Sequence, residues 1–314
     1  LQAIVAKHRL PAPLTAVEAT ITAMRPSVDL LFPEASGTEV YARIARAVME
    51  QVSVEIAPPV VLAPDYEPWF AHAVTSGRVK LERWYSYKQF LAHDKGFAPQ
   101  VLDQLDQSSG EVVDLLGDPS QSGSWKRRGL VIGDVQSGKT ANFTGVIAKA
   151  IDAGYKLVIV LTGTIELLRG QTQRRLDMEL VGEENILGGV PRDNAELVAS
   201  VDYIGDNDID WYEGRFVSYG KDPKELGLPG VRRLTGAKDD YKLLKAGLGY
   251  LDFRQTDHLI DPARPLYHED NIYRPDIRIA VVKKNSAVLK KLVHDLQSTK
   301  TDLGEIPALI IDDE

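Results

Sequence analysis

The sequence predicts an α/β fold: a parallel β-sheet with helices on both faces, preceded by a helical segment and interrupted by one long insertion. Three observations predict it. After residue 124, short apolar runs alternate with stretches of helical periodicity, the pattern of strand–helix–strand units that share one sheet. Those runs are apolar throughout, as in Leu157-Val158-Ile159-Val160-Leu161, which suits strands buried on both faces. Before residue 124 apolar residues recur instead at three- and four-residue spacing, which is helical.

Taken in order, residues 1–123 read as a helical accessory domain. Val40, Ile44, Val48 and Val52 recur every four residues, with Arg43, Arg46 and Glu50 between them, an amphipathic helix. Trp84, Tyr87, Phe90 and Leu91 repeat the pattern, and Val101, Leu102, Leu105, Val112, Val113 and Leu116 continue it. Residues 97–118 hold five acids and no base, which reads as a solvated face. Gly117-Asp118-Pro119-Ser120-Gln121-Ser122-Gly123-Ser124 is a run of turn formers and marks a domain boundary. Within 124–314, strands are expected at Gly129–Asp134, Lys156–Gly163, Ile277–Asn285 and Pro307–Asp313. Helices follow the first three, to the neighbourhood of Ala153, Leu180 and Ser298. Residues 182–276 break the alternation and are rich in Gly, Pro, Asp and Tyr. That is too long for a structureless loop in a compact domain, so an inserted subdomain or a partner-binding excursion is expected.

Composition removes several classes. The 314 residues suggest two domains, and 44% hydrophobic content supports a core. Thirty-seven Lys and Arg against 45 Asp and Glu leave a net charge of −8, which argues against a general polyanion coat but allows one basic groove. Cysteine is absent, so disulfides, thiolate nucleophiles and Cys-ligated zinc are excluded. The six histidines never fall at H-E-x-x-H spacing. No apolar run approaches the ~18 residues of a membrane span, and no signal peptide is found, so a cytoplasmic protein with no membrane partner is expected. The chain begins at Leu1 and stops directly after an apolar run, which reads as part of a longer protein.

One motif carries chemistry. Gly133-Asp134-Val135-Gln136-Ser137-Gly138-Lys139-Thr140 matches G-x-x-x-x-G-K-[ST]. Gly133 and Gly138 permit the torsions that turn successive N–H groups inward. Those donors and the helix N-terminus that follows hold phosphate oxygens. Lys139 adds a point charge at the β- and γ-phosphates, and the Thr140 hydroxyl suits Mg²⁺. A chance match in a chain this long is on the order of one in a hundred from average composition, and the flanking strand and helix patterns lower it further. The second half of such a site is a strand ending in acids, here Ile310-Ile311-Asp312-Asp313-Glu314. Asp313 would hold Mg²⁺ and Glu314 would act as base, with Asp312 in the Mg²⁺ role if the register shifts by one. The fold class sharpens to a RecA-like P-loop lobe using ATP and Mg²⁺.

The run from Gly133 to Asn142, with the terminal Ile310–Glu314, resembles the bacterial Z-one domain family of superfamily-two helicase-like ATPases. The resemblance covers 129–181 and 277–314, and Val135-Gln136-Ser137 is its distinctive element. It implies ATP contacts at Gly133, Gln136, Ser137, Gly138, Lys139 and Thr140, and the acidic roles above for Asp313 and Glu314. It also implies a setting in anti-phage defence or restriction-modification, beside MutL- or MORC-like ATPases and nucleases. Members are often labelled endonucleases. A helicase motor draws an arginine finger from a second lobe or in trans, worth about 10³–10⁵ in rate, so these residues alone are expected to bind ATP and hydrolyse it slowly.

A helicase-like lobe also touches nucleic acid at its strand ends. Arg169, Gln171 and Arg174 follow the second expected strand, and Lys283 and Lys284 end the third; these types reach phosphates without reading sequence. Trp125 precedes the first strand, where it would either stack on adenine or seal the domain boundary. Pro275-Asp276 and Pro64-Asp65 lack the acid-x-Lys of a nuclease core, so no nuclease site is expected in this chain. The expected function is an ATP-driven, helicase-like motor on DNA. The alternative is a nucleotide-switched assembly module that recruits a partner nuclease or ATPase without translocation.

Overall fold

The computed structural model describes residues 67–123, 125–131, 139–188, 201–241, 261–299 and 301–313, together with 19, 22–27, 29, 190, 196, 197, 251 and 253. The helix expected at 40–52, residues 132–138 of the expected phosphate-binding motif and Glu314 lie outside the described residues. From residue 67 the chain forms α1 (Phe70–Thr75), α2 (Glu82–His93) and α3 (Pro99–Leu115). It continues through α4 (Lys139–Ala153), β1 (Leu157–Thr162), α5 (Glu166–Leu176) and a π-helical turn (Asp177–Val181). Then come α6 (Glu183–Leu187), α7 (Ile209–Tyr212), β2 (Val231–Arg233), β3 (Ile277–Lys283), α8 (Ser286–Gln297) and β4 (Ala308–Asp312).

The four strands make one all-parallel sheet in the order β2–β3–β1–β4. Three of them fall within the expected bounds. β2 was not expected: it comes from inside the 182–276 stretch and is three residues long, too short to leave a period. The expected strand at Gly129–Asp134 does not extend over its described part. Gly129–Val131 make no ladder, and Leu130 and Val131 are 83% and 62% exposed. A strand draws its hydrogen bonds from a neighbour, and among the described residues nothing pairs with the outer edge of β4.

β1 and β3 divide their side chains between two cores, whereas β2 and β4 contribute to the first alone. Val158, Val160, Ile277, Ile279, Val281, Leu309 and Ile311 meet Val146, Ile147, Ala150 and Ile151 of α4. Leu157, Ile159, Ala280 and Val282 meet Leu292 of α8, with Tyr241, Phe253 and Leu266. The first core also takes in Trp84, Tyr87, Leu102, Leu105 and Val113 of α2 and α3, so the packing shows no seam at the expected boundary near 117–124. α4 is therefore sandwiched, and every residue from Thr144 to Ala153 is buried. At its end Gly154 takes φ +113° to turn the chain into β1, and a Cβ there would stand 2.7 Å from Ile272, so only glycine fits.

The acids of 97–118 are not simply a solvated face. Asp106 pairs with Lys149 and Lys88, and Asp118 pairs with Arg78. Asp114 accepts the backbone N–H groups of Trp69 and Phe70 at the start of α1. Charge spacing alone does not show which partners tertiary packing supplies. Among the described residues, no helix is long and apolar enough to cross a membrane.

Candidate nucleotide site at the carboxyl edge of the sheet

Only Gly154, Tyr155 and Lys156 separate α4 from β1, so the helix runs antiparallel to the strand. The 15 residues of α4 span about 22 Å and the six of β1 about 20 Å. The first turn of α4 therefore lies level with the carboxyl ends of the strands, where open α/β sheets bind ligands. Lys139, exposed, and Thr140, half-buried, are its first two residues. β4 is parallel to β1 and brings its acids to the same edge. The Asp313 N–H donates to the Leu161 carbonyl at 3.0 Å, and the Lys284 N–H donates to the Thr162 carbonyl at 3.0 Å.

Alternation along β4 separates its two acids. Leu309 and Ile311 face the α4 core, and the same period of two carries Asp313 to that face. Asp312 follows Ala308 and Ile310 onto the opposite face, where its carboxylate meets the Lys284 ammonium at 2.9 Å. On the α4 side the donors are the Thr140 hydroxyl and the Asp313 carboxylate, both oxygen. That set fits Mg²⁺, which takes one or two protein oxygens and completes its shell with phosphates and water. Among the described residues, no group of three or more His, Asp or Glu could hold a metal by itself. Gly133, Gln136, Ser137 and Gly138 lie outside the described residues.

The rest of α4 is fixed by the helical segment. The Tyr87 hydroxyl donates to the Ala141 carbonyl at 3.3 Å, and the Asn142 amide donates to Ser108 Oγ at 2.8 Å. One turn on, Gly145 lies under the Trp84 ring, where a Cβ would come within 3.0 Å. The Lys149 ammonium is 2% exposed, bonds the Asp106 carboxylate at 2.7 Å and sits 4.4 Å above the Trp84 ring. Asp152 is buried and accepts the N–H groups of Arg83 and Trp84 at 3.1 and 3.0 Å, capping α2 from a different helix. Burial pushes its carboxyl up to about 7, against the pull of those two N–H donors and of Arg83. Burial alone would raise Asp106, but the hydrogen bonds and charges of Lys149 and Lys88 hold it below the usual carboxylate range.

The five residues expected to contact nucleic acid are arranged differently. Arg169 is fully buried; it pairs with Glu166 and donates to the carbonyls of Gly236, Ala237 and Val281. These bonds tie α5 to the insertion and to β3 and leave the guanidinium no route to a phosphate. Arg174 pairs with Asp208 at 2.9 Å and with Asp210 at 2.5 Å. Lys283 meets Glu166 at 2.6 Å and Asp240 at 3.7 Å, and the bond to Glu166 raises its pKa. Lys284 is held by Asp312. Gln171 is exposed. The sequence shows the cations but not which acids fold onto them: Asp208, Asp210 and Asp240 come from the insertion, Glu166 from α5 and Asp312 from β4.

Two further features went unread in the sequence. Thr164 to Leu168 is an exposed run, with Ile165, Leu167 and Leu168 at 58%, 69% and 39%. It stands beside the site, where cations were expected. A buried polar set also binds the insertion to the core: Asp177 in the π-helical turn accepts from Gln173, Tyr203 and Arg233. Trp125 lies at the far end of α4, its ring edge-on to Tyr155 with centroids 6.0 Å apart. That places it at the boundary, about 20 Å along α4 from Lys139, too far for the adenine stacking expected of it beside Lys139.

Comparison with protein-family models, with curated proteins and with solved structures finds no match to this chain.

Proposed function

We propose that this chain is a Mg²⁺-dependent, ATP-binding and ATP-hydrolysing P-loop protein with a RecA-like sheet. One observation carries the reading: Lys139 and Thr140 at the start of α4 lie at the same edge of the parallel sheet as Asp313, the residue after β4. Bound ATP with its cation supplies the phosphoanhydride and the charge neutralisation that phosphoryl transfer needs. Lys139 would hold a positive charge at the phosphates, and the first N–H groups of α4 would point at them. Thr140 and Asp313 would orient the cation, and Glu314 would take the proton of the attacking water. Arg169 and Arg174 are committed to internal partners, so slow turnover by these residues alone is expected.

Of the two outputs, a DNA motor and a nucleotide-switched assembly module, the internal pairing of Arg169, Arg174, Lys283 and Lys284 favours the second. The exposed apolar run Ile165, Leu167 and Leu168 beside the site supports a protein surface there. The deciding measurement is ATP turnover by the full chain, with and without single- and double-stranded DNA at low salt. Turnover that Lys139→Ala removes and DNA leaves unchanged is the expected result. Stimulation by DNA of tenfold or more would return the reading to the motor.

A further inference from the structure

The first turn of α4 is held from outside the sheet. We propose that Tyr87 of α2 is a positioning residue of the nucleotide site: its hydroxyl holds the Ala141 carbonyl and so fixes the turn that presents Lys139 and Thr140. The inference rests on the nucleotide reading and gives the helical segment a part in that site.

Tyr87 is fully buried, and its hydroxyl donates to the Ala141 carbonyl at 3.3 Å. A phenyl ring would fill the same space, so the hydroxyl adds a tie that packing does not require. The neighbouring carbonyl is tied as well: the buried Thr144 hydroxyl donates to the Thr140 carbonyl at 2.8 Å. The Asn142 amide donates to Ser108 Oγ of α3 at 2.8 Å. Thr140, Ala141 and Asn142, the residues directly after Lys139, are thus each anchored by a side-chain hydrogen bond.

The sequence sets the approach of α2. Trp84 and Tyr87 lie one turn apart on α2, and Ala141 and Gly145 one turn apart on α4, so each pair lines one face of its helix. A Cβ at Gly145 would come within 3.0 Å of the Trp84 ring. The missing side chain lets α2 lie close and brings the Tyr87 hydroxyl to the backbone of α4. Burial, and next the Glu179 carboxylate of the π-helical turn, raise that hydroxyl well above its usual range, so it stays protonated and remains a donor.

The first turn needs such a tie. Helix ends fray, and the first N–H groups have no partner within their own helix. A ligand held by that turn binds best when the turn is already in place, and a displacement of about 1 Å can cost about a hundredfold in rate.

The test is Tyr87→Phe in the full chain, which deletes one oxygen and keeps the ring. The probe is a non-hydrolysable ATP analogue with Mg²⁺, followed by calorimetric titration and by the ³¹P resonances of its bound β- and γ-phosphates. Tyr87→Phe should weaken the analogue about three- to tenfold, the scale of one lost hydrogen bond, and should shift both resonances. Thr144→Val, which removes the tie to the Thr140 carbonyl, should act in the same direction. Ile151→Val loosens the same core about 18 Å along α4 from Lys139. It should lower the melting temperature while the affinity of the folded chain stays within twofold and the resonances stay in place. Tyr87→Phe that matches wild type in affinity and resonances would overturn the proposal. So would the same affinity loss and shifts in Ile151→Val, since Tyr87 would then act through packing alone. A wild-type chain that fails to bind the analogue would instead overturn the nucleotide reading itself.

Discussion

The two ends of α4 are made of opposite materials. At its C-terminal end Lys149 and Asp152 are buried, and each is bonded to α2 or α3. At its N-terminal end Lys139 is exposed and has no ion-pair partner among the described residues. Both ends carry a lysine on the same helix, yet one is a structural cation and the other is free for a ligand. The difference teaches that a charged residue on an apolar helix is assigned its job by what packs against it. Substitutions at the two ends should therefore separate stability from binding.

The largest effect is expected at the open end. Lys139→Ala should weaken ATP-analogue binding about a hundredfold, the scale of a lost charge-assisted contact to phosphate, and abolish turnover. The melting temperature should stay within about 1 °C, since no packing is lost. Calorimetric titration and a thermal melt measure both. A large drop in melting temperature would place Lys139 inside the scaffold and break the comparison.

Lys149→Met should do the reverse. It leaves the Asp106 carboxylate with one partner fewer and removes a cation from above the Trp84 ring. The expected cost is about 1 kcal/mol, because the Asp106 left behind is 38% exposed and keeps Lys88, read as a lower midpoint in urea unfolding. Analogue affinity of the folded fraction should change less than threefold. Unaltered stability would show that the buried lysine contributes nothing net.

Asp152 supplies a pH axis at the same end. Its folded carboxyl titrates near 7, raised by burial, whereas in the unfolded chain it titrates near 3.9. The stability it contributes is thus complete below the unfolded value and is lost as pH rises through the folded one. From pH 5 to pH 7 the chain should lose about 2 kcal/mol through this group. The Asp152→Asn variant, which cannot ionise, should lack that share of the slope. Parallel pH profiles for the two proteins would mean that the two N–H donors keep the carboxylate charged throughout.

How much of this was legible follows from the ranges involved. The α4 helix, three strands of the sheet and the acids ending β4 were readable, because each is a local pattern of period or spacing. Asp152 was not, because its meaning is the N-terminus of α2, 68 and 69 residues away in sequence. β2 was invisible because three residues carry no period. The exposed Leu130 and Val131 were read as a strand because apolar character does not say whether a neighbouring strand is present.

The smallest effect sharpens the comparison most at the carboxyl edge, where Lys283 and Lys284 sit beside the open end but are paired. Lys283 is 23% exposed at its side chain and shared between Glu166 and Asp240. Lys283→Gln should change stability by no more than about 1 kcal/mol, because partly exposed pairs contribute little net. Its effect on DNA separates the two readings more cleanly. Each phosphate neutralised adds about 0.9 to the slope of log affinity against log salt. If Lys283 contacts a phosphate, Lys283→Gln should lower that slope by nearly one unit at every DNA sequence tested. If Glu166 and Asp240 keep it, the slope of whatever weak binding exists should not move. The second outcome is expected. It would extend the lesson of α4 to the sheet edge: a lysine beside a ligand site is still structural when two carboxylates already claim it.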